Sequence, residues 1–259
     1  MRYVLAPLRA VALLLHVLGG ILIALACFHA LDQPRRNRVI GAWSRGLLRV
    51  CGAGLEVRGL VVPAPELAAT GIESGTRGRV IVANHISWID VFALDAALPC
   101  RFVAKSEIGR WPLAGWLVSL AGTLYIERGR RHAVAAINRT LRAHLERGET
   151  LALFPEGTTT DGSTLLPFHS NLLAPAMDVQ APVWPVALRY TERGRFSAAA
   201  AFDGDRTLLQ SLWGTLTADA LVIEITFLDP LDVDEAPTRH ALADAAHGAI
   251  AAQLSAFSR

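Results

Sequence analysis

The sequence predicts an α/β fold in which a largely parallel sheet is flanked by helices and preceded by an N-terminal membrane helix. Strand-length apolar runs alternate with helix-length segments from residue 79 onward, which is the pattern of a mostly parallel sheet. Residues 10–31 contain no Asp, Glu, Lys or Arg, and 22 such residues are enough to cross the hydrocarbon core of a bilayer as a helix. With 52% hydrophobic and 19% charged residues, the chain is also more apolar than an average soluble domain.

We therefore divide the chain into a membrane-anchoring segment, residues 1–55, and a globular domain, residues 56–259. Arg2 and Arg9 precede the apolar run, and a larger group of arginines follows it. By the positive-inside rule this asymmetry predicts that the globular domain faces the cytoplasm. The arginines after the run are Arg35, Arg36, Arg38, Arg45 and Arg49.

One alternative to a spanning helix stays open, in which the apolar run lies in the membrane interface. Residues 38–52 are in addition predicted to form an amphipathic helix at the membrane surface, because their apolar side chains share one helical face with arginines around it. An ordinary helix that faces the core is the alternative for residues 38–52. A signal peptide cleaved near Cys27 is disfavoured, because the run is long and the arginines after it form a stop-transfer pattern.

The globular domain is predicted to alternate strands and helices. Gly, Pro and Ala are frequent from residue 57 to 79, which indicates a strand followed by a loop. Strands are then predicted at 79–83, 101–104, 123–126, 150–154, 183–189 and 221–227. Helices are predicted at 89–97, 111–121, 132–147, part of 171–179, and 239–255.

Several classes of function are excluded by composition and motifs. The net charge of +2 and the lack of a basic and aromatic stripe argue against a nucleic-acid partner. The three cysteines, Cys27, Cys51 and Cys100, have no metal-ligand spacing, so neither a metal site nor a disulfide framework is expected. The chain also lacks GxxxxGK[ST], GxSxG and HExxH, which disfavours an NTPase, an α/β-hydrolase and a zincin.

The stretch "VIVANHISWID" ends an apolar strand with His85 and places Asp90 five residues later. A histidine can remove a proton from an alcohol near neutral pH, and a carboxylate on its other ring nitrogen makes it a better base. Five residues on one continuous helix would put the two side chains about 140° apart. The pair is therefore functional only if His85 lies in the turn before a helix that begins at Asp90.

Three further blocks carry candidate binding residues. In "GTLYIERGRR" a strand delivers Arg128 to a loop, followed by Arg130 and Arg131, and such arginines suit an anionic group. In "LFPEGTTTDG" the glycine Gly157 would let backbone amides approach a ligand, while Glu156 would hold a polar network or contact acceptor hydroxyls. In "APVWPVALRY" a proline interrupts an apolar strand, as at an edge or a bulge.

Taken together and in this order, the four blocks resemble the glycerophospholipid acyltransferase family of the bacterial 1-acyl-sn-glycerol-3-phosphate acyltransferase type. The matching segments are "NHISWID", "GTLYIER", "FPEGT" and "VWPVAL", and the resemblance covers about residues 78–190. It implies an enzyme of the bacterial inner membrane that moves a fatty acyl chain from acyl carrier protein or coenzyme A to a lysolipid hydroxyl. No cofactor is implied.

The resemblance also implies roles for individual residues. His85 is the general base and Asp90 its partner, Arg128 binds the acceptor head group, and Glu156, Gly157 and Thr158 belong to the acceptor site. The chain departs from the family after "FPEGT", where the usual cations are missing and the sequence continues "TTDGSTLLPFHSN".

This departure resembles relatives that acylate lyso-ornithine lipids. Lysophosphatidate remains our first expectation for the acceptor. Two functions stay as alternatives to acyl transfer: a non-catalytic lipid-binding protein of the same fold, and a lipid hydrolase acting on the same site.

Overall fold

One mixed β-sheet forms the centre of the computed structural model, which describes residues 2–59, 78–111, 114–126 and 131–257. The strand order is β1-β8-β6-β2-β5-β3-β4, and β7 pairs with β6 beside this path. The strands are β1 (Gly54–Gly59), β2 (Arg79–Ala83), β3 (Arg101–Lys105), β4 (Leu124–Ile126), β5 (Thr150–Leu153), β6 (Val183–Glu192), β7 (Arg195–Phe196) and β8 (Leu221–Phe227).

The predicted parallel sheet flanked by helices is confirmed. Strands β6, β2, β5, β3 and β4 run parallel to one another, whereas β8 pairs with β6 in the antiparallel direction and then with β1 in parallel. The helices are α1 (Arg2–Cys27), α2 (Gln33–Cys51), α3 (Asp90–Ala97), α4 (Ala114–Leu120), α5 (Arg131–Glu146), α6 (Ala174–Asp178), α7 (Leu208–Thr217) and α8 (Arg239–Ala256).

Strand β2 is buried on both faces, which explains why it is an unbroken apolar run. Ile81 and Ala83 belong to the core cluster that contains residues of α2 and α3. Val80 and Val82 belong to the second cluster, which contains residues of α5 and α8. Alternate residues of a strand face opposite sides of a sheet, so β2 joins the two halves of the core.

The structure corrects the prediction for Pro185 and adds one helix that was not predicted. Pro185 lies in β6, a central strand and not an edge, and the ladder to β8 begins one residue after it, at the pair Val186–Phe227. The proline therefore stands at the end of that ladder. Helix α7 was not predicted, although Thr207 and Gln210 form the capping box at its start, a recognisable sequence signal.

The N-terminal helix α1 begins at Arg2, earlier than predicted, and a 3-10 turn, Phe28–Ala30, follows it. Residues 4–30 are long and apolar enough to cross a membrane. The helix nevertheless packs on the rest of the chain and contacts α2, α4 and α7. The predicted amphipathic helix is α2, which starts at the N-cap Asp32 and ends at Gly52, whose φ of 76° lies in the left-handed region.

Candidate active site

The candidate active site lies at the carboxyl end of β2, where the chain turns into α3. Asn84, the first residue after the strand, is buried and fixes the turn to β6. Its side-chain Oδ1 accepts a hydrogen bond from the Leu188 N–H at 2.7 Å, and its Nδ2 donates to the Leu188 carbonyl at 3.0 Å. Because this amide bonds the neighbouring strand as a backbone group would, the turn cannot move independently of the sheet.

His85 and Asp90 are in direct contact. The Nδ1 atom of His85 lies 2.7 Å from Oδ2 of Asp90, and α3 begins at Asp90. This is the geometry that the five-residue spacing required, with the histidine in the turn before the helix. The imidazole is 21% exposed and the carboxylate is fully buried.

The carboxylate of Asp90 is held by three further donors. The backbone N–H groups of Ile86 and Ser87 donate to Oδ2 at 2.7 and 2.8 Å, and the Tyr190 hydroxyl donates to Oδ1. Because every one of these groups is a donor, Asp90 acts as an acceptor throughout, and His85 Nδ1 carries the proton that it shares with the carboxylate. This hydrogen bond fixes the tautomer that leaves Nε2 as the basic nitrogen.

Sequence reasoning missed Tyr190, although it closes the "APVWPVALRY" block. Its side chain is completely buried in β6. Burial, together with the charge of Asp90 and their hydrogen bond, raises the pKa of Tyr190 well above its usual value, so the phenol stays protonated and remains a donor. A tyrosine inside an otherwise apolar strand was the available signal, because a buried phenol usually has a polar partner.

Glu156 binds the backbone of His85 by a hydrogen bond. Oε1 accepts a hydrogen bond from the His85 N–H at 2.8 Å, and Oε2 accepts one from the Leu166 N–H at 2.9 Å. The residue is 4% exposed, and burial raises the pKa of its carboxyl despite these two donors. Of the two roles expected for Glu156, the hydrogen bonds support the polar network, since both oxygens meet backbone amides.

Phe154 packs against the other side of the histidine. Its ring stacks on the His85 imidazole, with the ring centroids 3.9 Å apart and an angle of 12° between the planes. Phe102 of β3 stacks in turn on Phe154 at 6.0 Å. The imidazole is therefore held by a hydrogen bond at Nδ1 and by an aromatic face, which leaves little freedom for the ring to rotate.

The other predicted binding residues are Gly157, Thr158 and Arg128, and the structure shows fewer contacts for them than for Glu156. Gly157 has a φ of 68°, a conformation that favours glycine, and its N–H donates to the Phe154 carbonyl at 3.1 Å to close the turn. Thr158 is exposed at the surface. Arg128, together with Arg130, lies outside the described residues. No cluster of metal ligands occurs within the described part of the chain.

An apolar pocket lies between the N-terminal helices and the helix that begins at Asp90. Its walls come from α1, α2, α3, β3 and α4. Val91 and Phe92, which follow Asp90 directly, line it, and so does Phe102, which is one ring away from the imidazole through Phe154. The arrangement thus combines a polar pair that can take a proton from a hydroxyl with a pocket that can hold a long apolar group.

The fold and this site define a class: an α/β protein in which a buried carboxylate holds a histidine at the end of a parallel strand. Comparison with known proteins defines the class further. The sequence profile of the acyltransferase family matches residues 62–189. The 1-acyl-sn-glycerol-3-phosphate acyltransferase of Neisseria gonorrhoeae is 38% identical over 210 residues, which cover 81% of this chain and 78% of that protein.

Two further comparisons agree. The lyso-ornithine lipid O-acyltransferase of Pseudomonas aeruginosa is 39% identical over 198 residues, or 76% of this chain and 71% of that protein. The crystal structure of the 1-acyl-sn-glycerophosphate acyltransferase PlsC of Thermotoga maritima has the same fold, with a TM-score of 0.66 at 18% identity, covering 96% of this chain and 98% of that one. The chain belongs to the acyltransferase family, in the group of the 1-acyl-sn-glycerol-3-phosphate acyltransferase type.

Proposed function

We propose that this protein is a membrane-associated O-acyltransferase that moves a fatty acyl chain from acyl carrier protein or coenzyme A to 1-acylglycerol-3-phosphate, giving phosphatidic acid. The observation that carries the proposal is the 2.7 Å hydrogen bond between His85 Nδ1 and Asp90 Oδ2. It holds the histidine as a base with Nε2 free for the acceptor hydroxyl. The relatives named for this reaction support the choice of substrate.

The reaction then follows from general base catalysis. His85 Nε2 removes the proton of the acceptor hydroxyl as its oxygen adds to the thioester carbonyl, and a tetrahedral oxyanion forms. The oxyanion collapses, the C–S bond breaks, and the thiolate leaves as the carrier thiol with the proton that His85 returns. The buried Asp90 stabilises the imidazolium between the two transfers.

No covalent acyl-enzyme is needed in this scheme. Cys100 lies near the pocket, but burial, with the charge of Asp95, raises the pKa of its thiol well above the usual value. A nucleophilic cysteine requires the opposite shift, towards the thiolate. Direct attack by the acceptor hydroxyl is therefore the chemistry that these residues suit.

We assign the apolar pocket to a fatty acyl chain. Its walls are almost entirely hydrophobic, and they include Val91 and Phe92, which follow Asp90 in α3. On the acceptor side we keep the residues that the family resemblance implies, which are Arg128 for the head group and the turn formed by Glu156, Gly157 and Thr158. The two hydrogen bonds of Glu156 make its contribution one of holding that turn against His85.

We place α1 in the membrane interface, lying along the catalytic domain instead of standing apart from it. Ala6, Leu13, Ile21 and Ala24 are buried against the rest of the chain, and they extend along about 27 Å of helix at 1.5 Å per residue. A helix that packs on the domain along one side and presents apolar side chains on the other suits a position in the interface plane.

The polar groups of α1 support this placement. Arg9 donates to the Leu216 carbonyl of α7 at 2.8 Å. His16 stacks on Trp43 of α2 with ring centroids 4.8 Å apart. The polar side chains thus meet the protein while apolar ones face outward, which is the reverse of a surface helix in water. The large hydrophobic residues of α1 that are more than half exposed are Val4, Leu8, Val11, Leu15, Leu22 and Leu25.

Acylation of a lyso-ornithine lipid is the second candidate, and one observation favours it. Residues 157–171 contain no lysine or arginine, although a phosphomonoester head group would be expected to meet cations there. In the same segment the buried Ser170 hydroxyl is 3.0 Å from His240 Nδ1, a contact within the protein. The Pseudomonas aeruginosa relative carries the name of this reaction.

The test is complementation in bacteria that conditionally lack lysophosphatidate acyltransferase, read by lipid mass spectrometry. Wild type, His85→Ala and the control His247→Ala, a histidine of α8 that packs on Phe168, would be expressed in parallel. We expect rescue by wild type and the control but not by His85→Ala. Extracts given lyso-ornithine lipid separately, with acyl carrier protein or coenzyme A thioesters, would identify the second acceptor and the donor.

Each other outcome selects another function. Acylation of lyso-ornithine lipid without rescue would assign the second acceptor. Release of free fatty acid without acceptor would indicate a hydrolase. Equal activity of wild type and His85→Ala would rule out the proposed base, and no activity in either, from a folded protein that binds lipid, would indicate a non-catalytic role.

A further inference from the structure

The apolar pocket contains two buried polar side chains that the reaction does not use. Most of its lining is hydrophobic, and the side chains with polar atoms are Trp43, Ser44, Asp95, Cys100 and Thr123. The Trp43 indole N–H donates to the His16 carbonyl, the Cys100 thiol donates to the Leu98 carbonyl, and Thr123 is partly exposed. Ser44 and Asp95 remain, on the facing helices α2 and α3, which pack against each other. Both are almost completely inaccessible, at 1% and 3% exposure.

Ser44 has no hydrogen-bond partner among the described residues, although its hydroxyl oxygen is completely buried. A serine within a helix ordinarily satisfies itself on the carbonyl four residues earlier, and this one does not. Burying a hydroxyl without a partner costs stability, so such groups in native proteins are few and call for an explanation. A ligand in the pocket that this residue lines would provide the missing partner.

Asp95 is only partly satisfied. Its Oδ1 accepts a hydrogen bond from the Cys100 N–H at 3.0 Å, and this is the bond found for its side chain within the described part of the chain. Burial raises the pKa of this carboxyl to about 8, so at neutral pH it is largely the uncharged acid, which can both donate and accept. An uncharged carboxyl and a hydroxyl that line the same pocket suit a small neutral polar group.

We infer that the pocket accepts a fatty acyl chain carrying a hydroxyl group part-way along its length, which Ser44 and Asp95 recognise between otherwise apolar walls. The inference rests on the proposed function, because it assigns the pocket to an acyl chain, and it deepens that function by naming the chain. An unsubstituted chain would leave the Ser44 hydroxyl without a partner among the described residues and would add nothing to the bond that Asp95 accepts from the Cys100 N–H. A penalty of this kind is what gives polar sites their selectivity.

The hydroxylated chain could belong to the donor or to the lysolipid acceptor, and two arms of one experiment separate them. In the first arm, palmitoyl thioesters with a hydroxyl at carbon 3, 8 or 12 compete with unsubstituted palmitoyl thioester for the same plain acceptor. In the second arm, the plain donor meets acceptors with hydroxylated or plain acyl chains. The quantity measured is the ratio of kcat/KM for the hydroxylated chain to that for the plain chain.

We expect a preference of about 3- to 10-fold for one hydroxyl position in one arm, as a net gained hydrogen bond would provide. Ser44→Ala should reduce that ratio towards one without lowering the melting temperature, because the hydroxyl it removes has no partner in the protein. Ser119→Ala, in the neighbouring helix α4 and outside the pocket lining, should leave the ratio as it is in wild type.

Direct binding separates this inference from the proposed reaction. Tryptophan fluorescence, to which Trp43 in the pocket wall contributes, would report the binding of 12-hydroxystearate, 3-hydroxypalmitate and their unsubstituted counterparts without turnover. A hydroxyl preference that Ser44→Ala removes supports the inference even in an inactive preparation. Equal affinities together with equal kcat/KM at all three positions, or a preference that Ser44→Ala does not change, would overturn it, while His85-dependent transfer of plain chains would still support the acyltransferase.

Discussion

The hydroxyl of Tyr190 donates a hydrogen bond to Oδ1 of Asp90, the carboxylate whose other oxygen holds His85. The two residues are 100 positions apart in the chain and both are completely buried. Tyr190 belongs to β6 and Asp90 to the first turn of α3, so this contact ties the proposed catalytic pair, His85 and Asp90, to the neighbouring strand of the sheet.

Tyr190→Phe should therefore weaken catalysis without touching substrate. The ring volume is kept, but Asp90 Oδ1 loses its donor in a buried site. We expect unfolding free energy to fall by about 1–3 kcal/mol and kcat to fall about 3- to 30-fold, with KM for both substrates unchanged because the residue acts through Asp90. Steady-state kinetics and urea denaturation measure both effects.

The control for this prediction is Tyr125→Phe. The Tyr125 hydroxyl is 2.7 Å from Ser119 Oγ, beside α4 and away from the catalytic pair. This variant should keep the wild-type kcat. If Tyr190→Phe were as active and as stable as Tyr125→Phe, the hydrogen bond to Asp90 would have no part in positioning the base.

Glu156→Gln should separate the two roles expected for this residue. An amide can accept with its oxygen but not with its NH₂ group, so one of the backbone N–H groups of His85 and Leu166 would face a donor. If Glu156 holds the turn, kcat and stability should both fall, the latter by about 1–3 kcal/mol, with little change in the KM for acceptor. A selective rise in that KM, with stability retained, would instead indicate direct contact with the acceptor.

Asp95 should make the protein less stable as pH rises. Burial raises its pKa from 3.8 to about 8, so between these values the folded protein holds a proton that the unfolded chain has lost. Folding stability therefore decreases across this window, by up to about 1.4 kcal/mol per pH unit from this group. Asp95→Asn keeps an oxygen acceptor for the Cys100 N–H but cannot ionise, so its stability should depend less on pH.

Urea midpoints at pH 5, 6, 7 and 8 would measure this difference. Glu156, whose pKa burial also raises, contributes with the same sign in both proteins and cancels in the comparison. Parallel plots of urea midpoint against pH for wild type and Asp95→Asn would show that Asp95 ionises normally in the folded state. The pocket would then contain a charged carboxylate at neutral pH.

The exposed face of α1 should bind membranes. Leu8, Leu15 and Leu22 recur every seven residues, so they share one face, and each is more than 60% exposed. Replacing all three with lysine should lower binding to phospholipid vesicles by at least about tenfold, since each buried leucine contributes about 1.5–3 kcal/mol. Vesicle co-sedimentation measures the effect, and Val57→Lys on strand β1 is a control for charge alone.

The same helix allows a test of interfacial against spanning placement. An N-terminal tag on an interfacial α1 would be accessible from the side that holds the catalytic domain, whereas a spanning α1 would present it on the opposite side. Protease digestion of the tag in oriented membrane vesicles decides between them. Cleavage from the side opposite the catalytic domain would contradict the interfacial placement.

The sequence by itself determined the alternation of strands and helices, the apolar N-terminal run and the spacing of His85 and Asp90. These are local properties: side-chain periodicity sets the element type, and five residues suffice to reach from a turn into the first residue of a helix. For the same reason the sequence alone predicted that a functional His85–Asp90 pair needs a helix that starts at Asp90.

Only the tertiary structure decided which distant groups meet. Tyr190 reaches Asp90 and Glu156 reaches the His85 backbone because β2, β5 and β6 lie side by side, and strand order is a long-range property that periodicity does not encode. The same holds for α1, whose composition fits a spanning helix, although its packing against α2, α4 and α7 supports the interface. Whether an apolar helix faces lipid or protein depends on what covers it, and that is settled only when the chain has folded.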